Sequence, residues 1–162
     1  MTYQEICTFE VLYNAYLEAR KRKRSKPATA QYEANVLAYT DRLSRILEGG
    51  TYQPSKFETF YVYEPKKRLV QAPAFVDKVV LHSVTDNVLY DAITRSFVRD
   101  NYASQKGKGT HDGLLRLKGA MTDYYRKHGS ADGWVLKADV HHVFASIDHD
   151  LLKQKLRSLF EK

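Results

Sequence analysis

The stretch Trp134–His149, WVLKADVHHVFASIDH, is an apolar run that delivers one carboxylate, Asp139, then an aromatic, Phe144, and then a polar helix start. Leu136, Ala138 and Val140 flank the acid, so the pattern predicts a β-strand over Trp134–Phe144 with Asp139 toward its end. A carboxylate set among buried neighbours needs a cation or hydrogen-bond donors to offset its lost hydration. A divalent metal is one such partner; a simple hydrogen bond at a strand end is the other reading.

Working outward, Asp148 is placed to cap a last helix reaching Phe160. Asp112 to Lys127 has helical spacing and ends at His128-Gly129, and Ser104 to His111 is a glycine-bearing turn. Ala74 to Ile93 reads as a helix through Val76, Val80, Val84 and Val88, although β-branched residues lower its helix propensity. Between Phe57 and Gln71, FETFYVY and LVQ read as two strands joined by a tight turn at Glu64 to Lys67, with basic residues at the tip. An amphipathic helix from Tyr3 to about Lys23 would bury Ile6, Phe9, Leu12, Tyr13, Tyr16 and Leu17 before the basic run Lys21–Pro27, KRKRSKP. A second, from about Thr29 to Glu48, would bury Val36, Leu37, Leu43, Ile46 and Leu47 and stop at Gly49-Gly50. Helices with a few strands in mixed order indicate an α+β fold, helices packed around a small antiparallel sheet.

The 162 residues are 43% hydrophobic and 12% aromatic, enough for a real core and against disorder. A formal charge of +7 favours an anionic partner, nucleic acid being the commonest for a basic domain. Cys7 is the only cysteine, which excludes an internal disulfide and a cysteine zinc cage and fits a reducing cytoplasm. No apolar run is long enough for a membrane span, and MTYQEICTFEVLYNAY is too polar for a secretory signal.

From about Phe57 to Phe160 the order of these features resembles bacterial reverse transcriptases, the group of group II intron maturases, retron enzymes and diversity-generating enzymes. The similarity lies in KKRLVQAP with the helix carrying Asp77, the turn SQKGKGTH at Ser104–His111, and the Asp139 segment. It implies reverse-transcriptase fingers with a partial palm: residues 1–26 an N-terminal helix and basic segment, 27–130 the fingers, 131–162 the start of the palm. The family's aromatic-x-Asp-Asp motif does not follow within the chain. The resemblance therefore implies part of an RNA-directed DNA polymerase, inactive by itself, with an RNA template, a DNA primer and dNTP as partners.

By the same resemblance, Asp139 and the backbone carbonyl of Val140 are ligands of a two-metal Mg2+ site, with Mn2+ as the alternative ion; such a pair activates a 3′-hydroxyl and stabilises the leaving oxygens. Phe144 would exclude a ribose 2′-hydroxyl, and Lys66 and Arg68 would reach the nucleotide triphosphate, arginine offering a planar donor fork. Lys21, Arg22, Lys23 and Arg24, together with Ser104, Gln105, Lys106, Gly107 and Lys108, would contact template-primer. The plainer readings stay open: a core phenylalanine, a solvated hairpin turn, a surface loop, a solvated basic face. His141 and His142, adjacent on a strand, would face opposite sides and could not easily chelate one ion. A non-catalytic RNA-binding module, or an antiphage or interaction domain on the same scaffold, are the competing functions.

Overall fold

Thr2 and Glu5 close a capping box: the Thr2 hydroxyl accepts from the Glu5 N–H at 3.3 Å, and Glu5 Oε2 accepts from the Thr2 N–H at 2.7 Å. Helix α1 (Tyr3–Ile6) is short, and α2 (Phe9–Ala19) restarts after Thr8, whose hydroxyl donates to the Glu5 carbonyl. The single helix expected from Tyr3 to about Lys23 is thus two, because a threonine that bonds back to the main chain competes with continued helix. The basic run beyond Ala19 is turn, with Arg22 at φ 59°. This computed structural model describes residues 1–144 and 146–161. They form two compact units, Met1–Asp91 and a second from Ala92 onward.

In the first unit the expected second helix is also divided. Pro27 opens α3 (Pro27–Ala34), where its missing N–H costs nothing, and Asn35 at φ −130°, ψ 35° separates it from α4 (Val36–Glu48). Gly50, at φ 64°, follows the stop at Gly49 as the sequence suggests. Strands β1 (Glu58–Val62) and β2 (Arg68–Ala72) pair antiparallel, Val62 opposite Arg68 and Glu58 opposite Ala72. Helix α5 (Phe75–Val84) passes into a π-helical turn, Thr85–Leu89, and then α6 (Tyr90–Thr94).

The core of this unit joins Leu12, Tyr16 and Ala19 of α2 to Tyr32 of α3, Leu43 and Leu47 of α4, and Phe75 and Val79 of α5. Residues 1–26 and 27–91 share this core within one compact unit. Tyr16, Tyr32 and Phe75 form an aromatic cluster, Tyr16 and Tyr32 at 5.5 Å and Tyr32 and Phe75 edge-on at 5.3 Å. Two buried hydroxyls tie helix ends together: Ser44 donates to the Cys7 carbonyl at 2.6 Å and Ser83 to the Ile6 carbonyl at 2.8 Å. On α5 the buried positions are Phe75, Asp77, Val79 and Ser83, with the expected Val76, Val80 and Val84 flanking them half-buried. Leu37, expected inside, is exposed.

The second unit holds α7 (Thr110–His128) and α8 (His149–Phe160). Gly129 ends α7 in the left-handed region at φ 67°, its N–H donating to the Tyr125 carbonyl at 2.8 Å. Asp148 caps α8 as expected, Oδ1 accepting from the N–H groups of Asp150 and Leu151, both at 2.9 Å. The strand expected at Trp134–Phe144 is not formed: 134–140 is irregular and 141–144 is turn. An apolar run becomes a strand only beside another strand, and no described residue pairs with it. The fold class is α+β, with a two-stranded antiparallel sheet among the described residues. No described helix is long and apolar enough to cross a membrane.

Candidate nucleic-acid interface

The β1–β2 hairpin is the most exposed ordered element of the first unit. Alternation puts Phe60, Val62, Arg68 and Val70 on one face and Tyr61 and Leu69 on the other, and Phe60, Tyr61 and Leu69 remain exposed. At the tip, Lys67 Nζ lies 4.8 Å from the Tyr61 ring centroid and 5.9 Å from that of Tyr63, a cation held over aromatic faces. Lys66 and Arg68 are exposed and form no ion pair among the described residues. The hairpin thus presents three basic side chains interleaved with exposed rings. That combination gives phosphates a charge and bases a stacking surface.

The Lys21–Arg24 run is less available than its charge suggests. Lys21 donates to both carboxylate oxygens of Glu18 at 2.6 Å, while Arg24, with Arg20, is bound to Glu33. Arg24's hydrogen bonds hold the Glu33 carboxyl below the usual carboxylate range. Arg22 and Lys23 carry no ion pair among the described residues, so half of the run stays open to an external anion.

In the second unit, the turn Ser104–Lys108 is closed by its own side chains. Lys108 Nζ donates to the Arg99 carbonyl at 2.8 Å and lies 5.8 Å from the Tyr102 ring, and Gln105 donates to the Asn101 carbonyl at 2.9 Å. Ser104 at φ 55° and Gly107 at φ 73° give the reversal; only the second is where glycine removes strain. Asp100 accepts from Arg116 Nε at 3.0 Å and from the Tyr102 hydroxyl at 2.9 Å, and the Arg116 bond chiefly holds its carboxyl below the usual range. Gln105 and Lys108, expected to touch template, hold the turn's shape, while Lys106 is exposed on it.

The Asp139 segment differs most from expectation. Asp139 is exposed, its Oδ1 accepting, among the described residues, from the neighbouring Val140 N–H at 3.0 Å. Leu136 is 92% exposed and Phe144 87%. His141 and His142 do not face opposite sides; in the turn, with His142 at φ 49°, their rings meet edge-on at 3.9 Å. Asp139 and the Val140 carbonyl are the hard oxygens that Mg2+ or Mn2+ takes. Among the described residues, however, no three His, Cys, Asp or Glu side chains converge on a metal position. The donor set here is partial, and no reaction step is assigned through an ion.

Asp77 was legible only as an acid on a helix. It is 5% exposed, and it accepts from the Tyr52 hydroxyl at 2.5 Å and from the Ser55 N–H at 3.0 Å, clamping the segment before β1 onto the start of α5. Burial, then the Asp77 bond, push the Tyr52 hydroxyl well above the usual phenol range. Comparison with protein-family models and with curated proteins found no match.

Proposed function

We propose that this chain carries the fingers and the first palm motif of an RNA-directed DNA polymerase, and that the β1–β2 hairpin is its nucleic-acid face. The single observation that carries this reading is the exposed hairpin tip, where Lys66, Lys67 and Arg68 stand among Phe60, Tyr61 and Tyr63. The order of the motifs from the basic strand to Asp139 supports the polymerase over other nucleic-acid binders. In that reading Lys66 and Arg68 take phosphate, that of RNA when the chain is alone and the triphosphate of a dNTP in the whole polymerase, and Arg22, Lys23 and Lys106 add template-primer contacts. Asp139 and Val140 supply part of a Mg2+ or Mn2+ shell, Phe144 selects the sugar, and the polymerase acts in the cytoplasm.

Labelled single-stranded RNA, titrated by anisotropy at about 50 to 200 mM salt, tests the hairpin. Binding should weaken steeply with salt, and replacing Lys66, Lys67 and Arg68 together by alanine should reduce the slope of log K against log salt by about 2. Salt-independent binding, or an unchanged slope, would remove the hairpin from the interface. Primer extension by the full polymerase carrying Asp139→Asn separates the catalytic reading from an RNA-binding module: extension should be lost with RNA affinity retained. Undiminished extension would exclude Asp139 as a metal ligand.

A further inference from the structure

A cleft in the first unit, apart from the hairpin's aromatic and basic tip, encloses about 520 Å3 between α3, α4, the segment before β1 and the start of α5. That volume lies within the range of small-molecule sites, which are mostly apolar with a few fixed polar groups. Tyr32, Tyr39, Tyr52 and Phe75 give it aromatic walls, with the Tyr32 ring 5.5 Å from that of Tyr39. At the buried end stands Asp77. Arg42 and Glu58, both exposed and opposite in charge, also line the cleft and leave its outer part with little net preference.

Asp77 decides the ligand chemistry. Each of its oxygens accepts one bond, from Tyr52 and from Ser55, and it forms no ion pair among the described residues. A carboxylate has about four acceptor positions, so roughly two remain. The first turn of α5 contributes a favourable dipole to the charge, as it would for any acid at that position. What the dipole does not do is fill the remaining acceptor positions or the apolar space beside them. An anion would be repelled from this end, and an aliphatic ligand would leave the acceptors unused.

We propose that the cleft binds a planar ring bearing a fork of N–H donors, an amidinium or amidine-like edge, with the ring against the tyrosines and the fork on Asp77. A forked donor meets a carboxylate through paired charge-assisted bonds, and a flat ring suits aromatic walls. Asp77 lies on a helix that carries part of the resemblance, but none of the site's residues belongs to the hairpin tip or to the Asp139 segment, so the probes below test the cleft separately from those two.

Benzamidine and benzoate, equal in shape and opposite in charge, are the probes, added to the 15N-labelled protein and followed by amide shifts. Benzamidine should bind saturably, move the Ser55 amide, and exceed benzoate in affinity by about tenfold or more, the ratio one charge-assisted bond supports. Asp77→Asn, of nearly equal volume, should abolish the difference. Equal binding of the two probes, binding of neither, or shifts confined to the neighbourhood of Glu58 would overturn the proposal. Should Asp77→Asn fail to fold, the charge preference of the wild-type protein and the Ser55 shift decide the matter alone.

Discussion

The two units spend similar apolar side chains in opposite ways. In the first, Leu12, Tyr16 and Val79 are almost wholly removed from water. In the second no described residue is buried, and Trp134, Leu136 and Phe144 lie open, as do Leu114, Leu117, Met121 and Tyr125 along α7. The lesson is that an apolar stripe is only half of a core. Helix α2 has α4 and α5 to face, whereas the stripe of α7 meets solvent among the described residues.

Paired truncations should expose this difference most strongly. Leu12→Ala, at 0% exposure between packed helices, should cost about 2 to 5 kcal/mol, because the hole cannot fully close. Leu117→Ala should change stability by no more than about 0.5 kcal/mol, as surface positions do. Denaturant unfolding followed by circular dichroism measures both. Equal costs would break the comparison and show that α7 is covered in solution.

Hydroxyl deletion gives an intermediate effect. Tyr52→Phe removes a donor from the buried Asp77 and should cost about 1 to 3 kcal/mol. Tyr124→Phe removes an exposed bond to the Asp132 carbonyl at 2.8 Å and should cost almost nothing. The sign with pH is fixed by Tyr52: its folded-state pKa is raised, so its contribution is intact below the free phenol value of about 10 and is lost as pH climbs beyond it. Alkaline unfolding monitored at several wavelengths should begin later in Tyr52→Phe than the lost bond alone would suggest. A midpoint lowered in Tyr52→Phe by the full cost of the lost bond would detach Tyr52 from that transition.

Local signals were legible where one residue settles the matter. The Gly49-Gly50 stop, Gly129 after α7, Asp148 before α8 and the hairpin turn at Glu64–Lys67 all appear where the sequence puts them. What pattern reading lost was long-range. Thr8 and Asn35 interrupt helices whose hydrophobic spacing continues through them, and the true inner face of α5 is set by α2 rather than by the valine repeat. Trp134–Phe144 has strand composition but no partner strand among the described residues, and composition cannot supply one. Of the site, the hairpin tip was readable because exposed charge beside aromatics is local chemistry. Asp77 was not, since its partners Tyr52 and Ser55 are more than twenty positions away.

The smallest effect expected is also the most local. Asp148 is exposed, and its carboxyl lies below the usual range because the N–H groups of Leu151 and Asp150 bond its charged form. A lowered folded-state pKa means the cap is fully effective above the free value of about 3.9 and is lost as pH falls through the folded one. Acid should therefore fray the start of α8 while Leu12 and its neighbours stay buried. Asp148→Ala should reproduce that fraying at neutral pH, visible as loss of helical 13Cα shifts at Asp150 to Leu152, with the melt of the first unit unmoved. If Asp148→Ala instead lowers that melt, the stability of α8 and of the helical core are coupled, and the contrast between a self-sufficient first unit and an open second one fails at its simplest point.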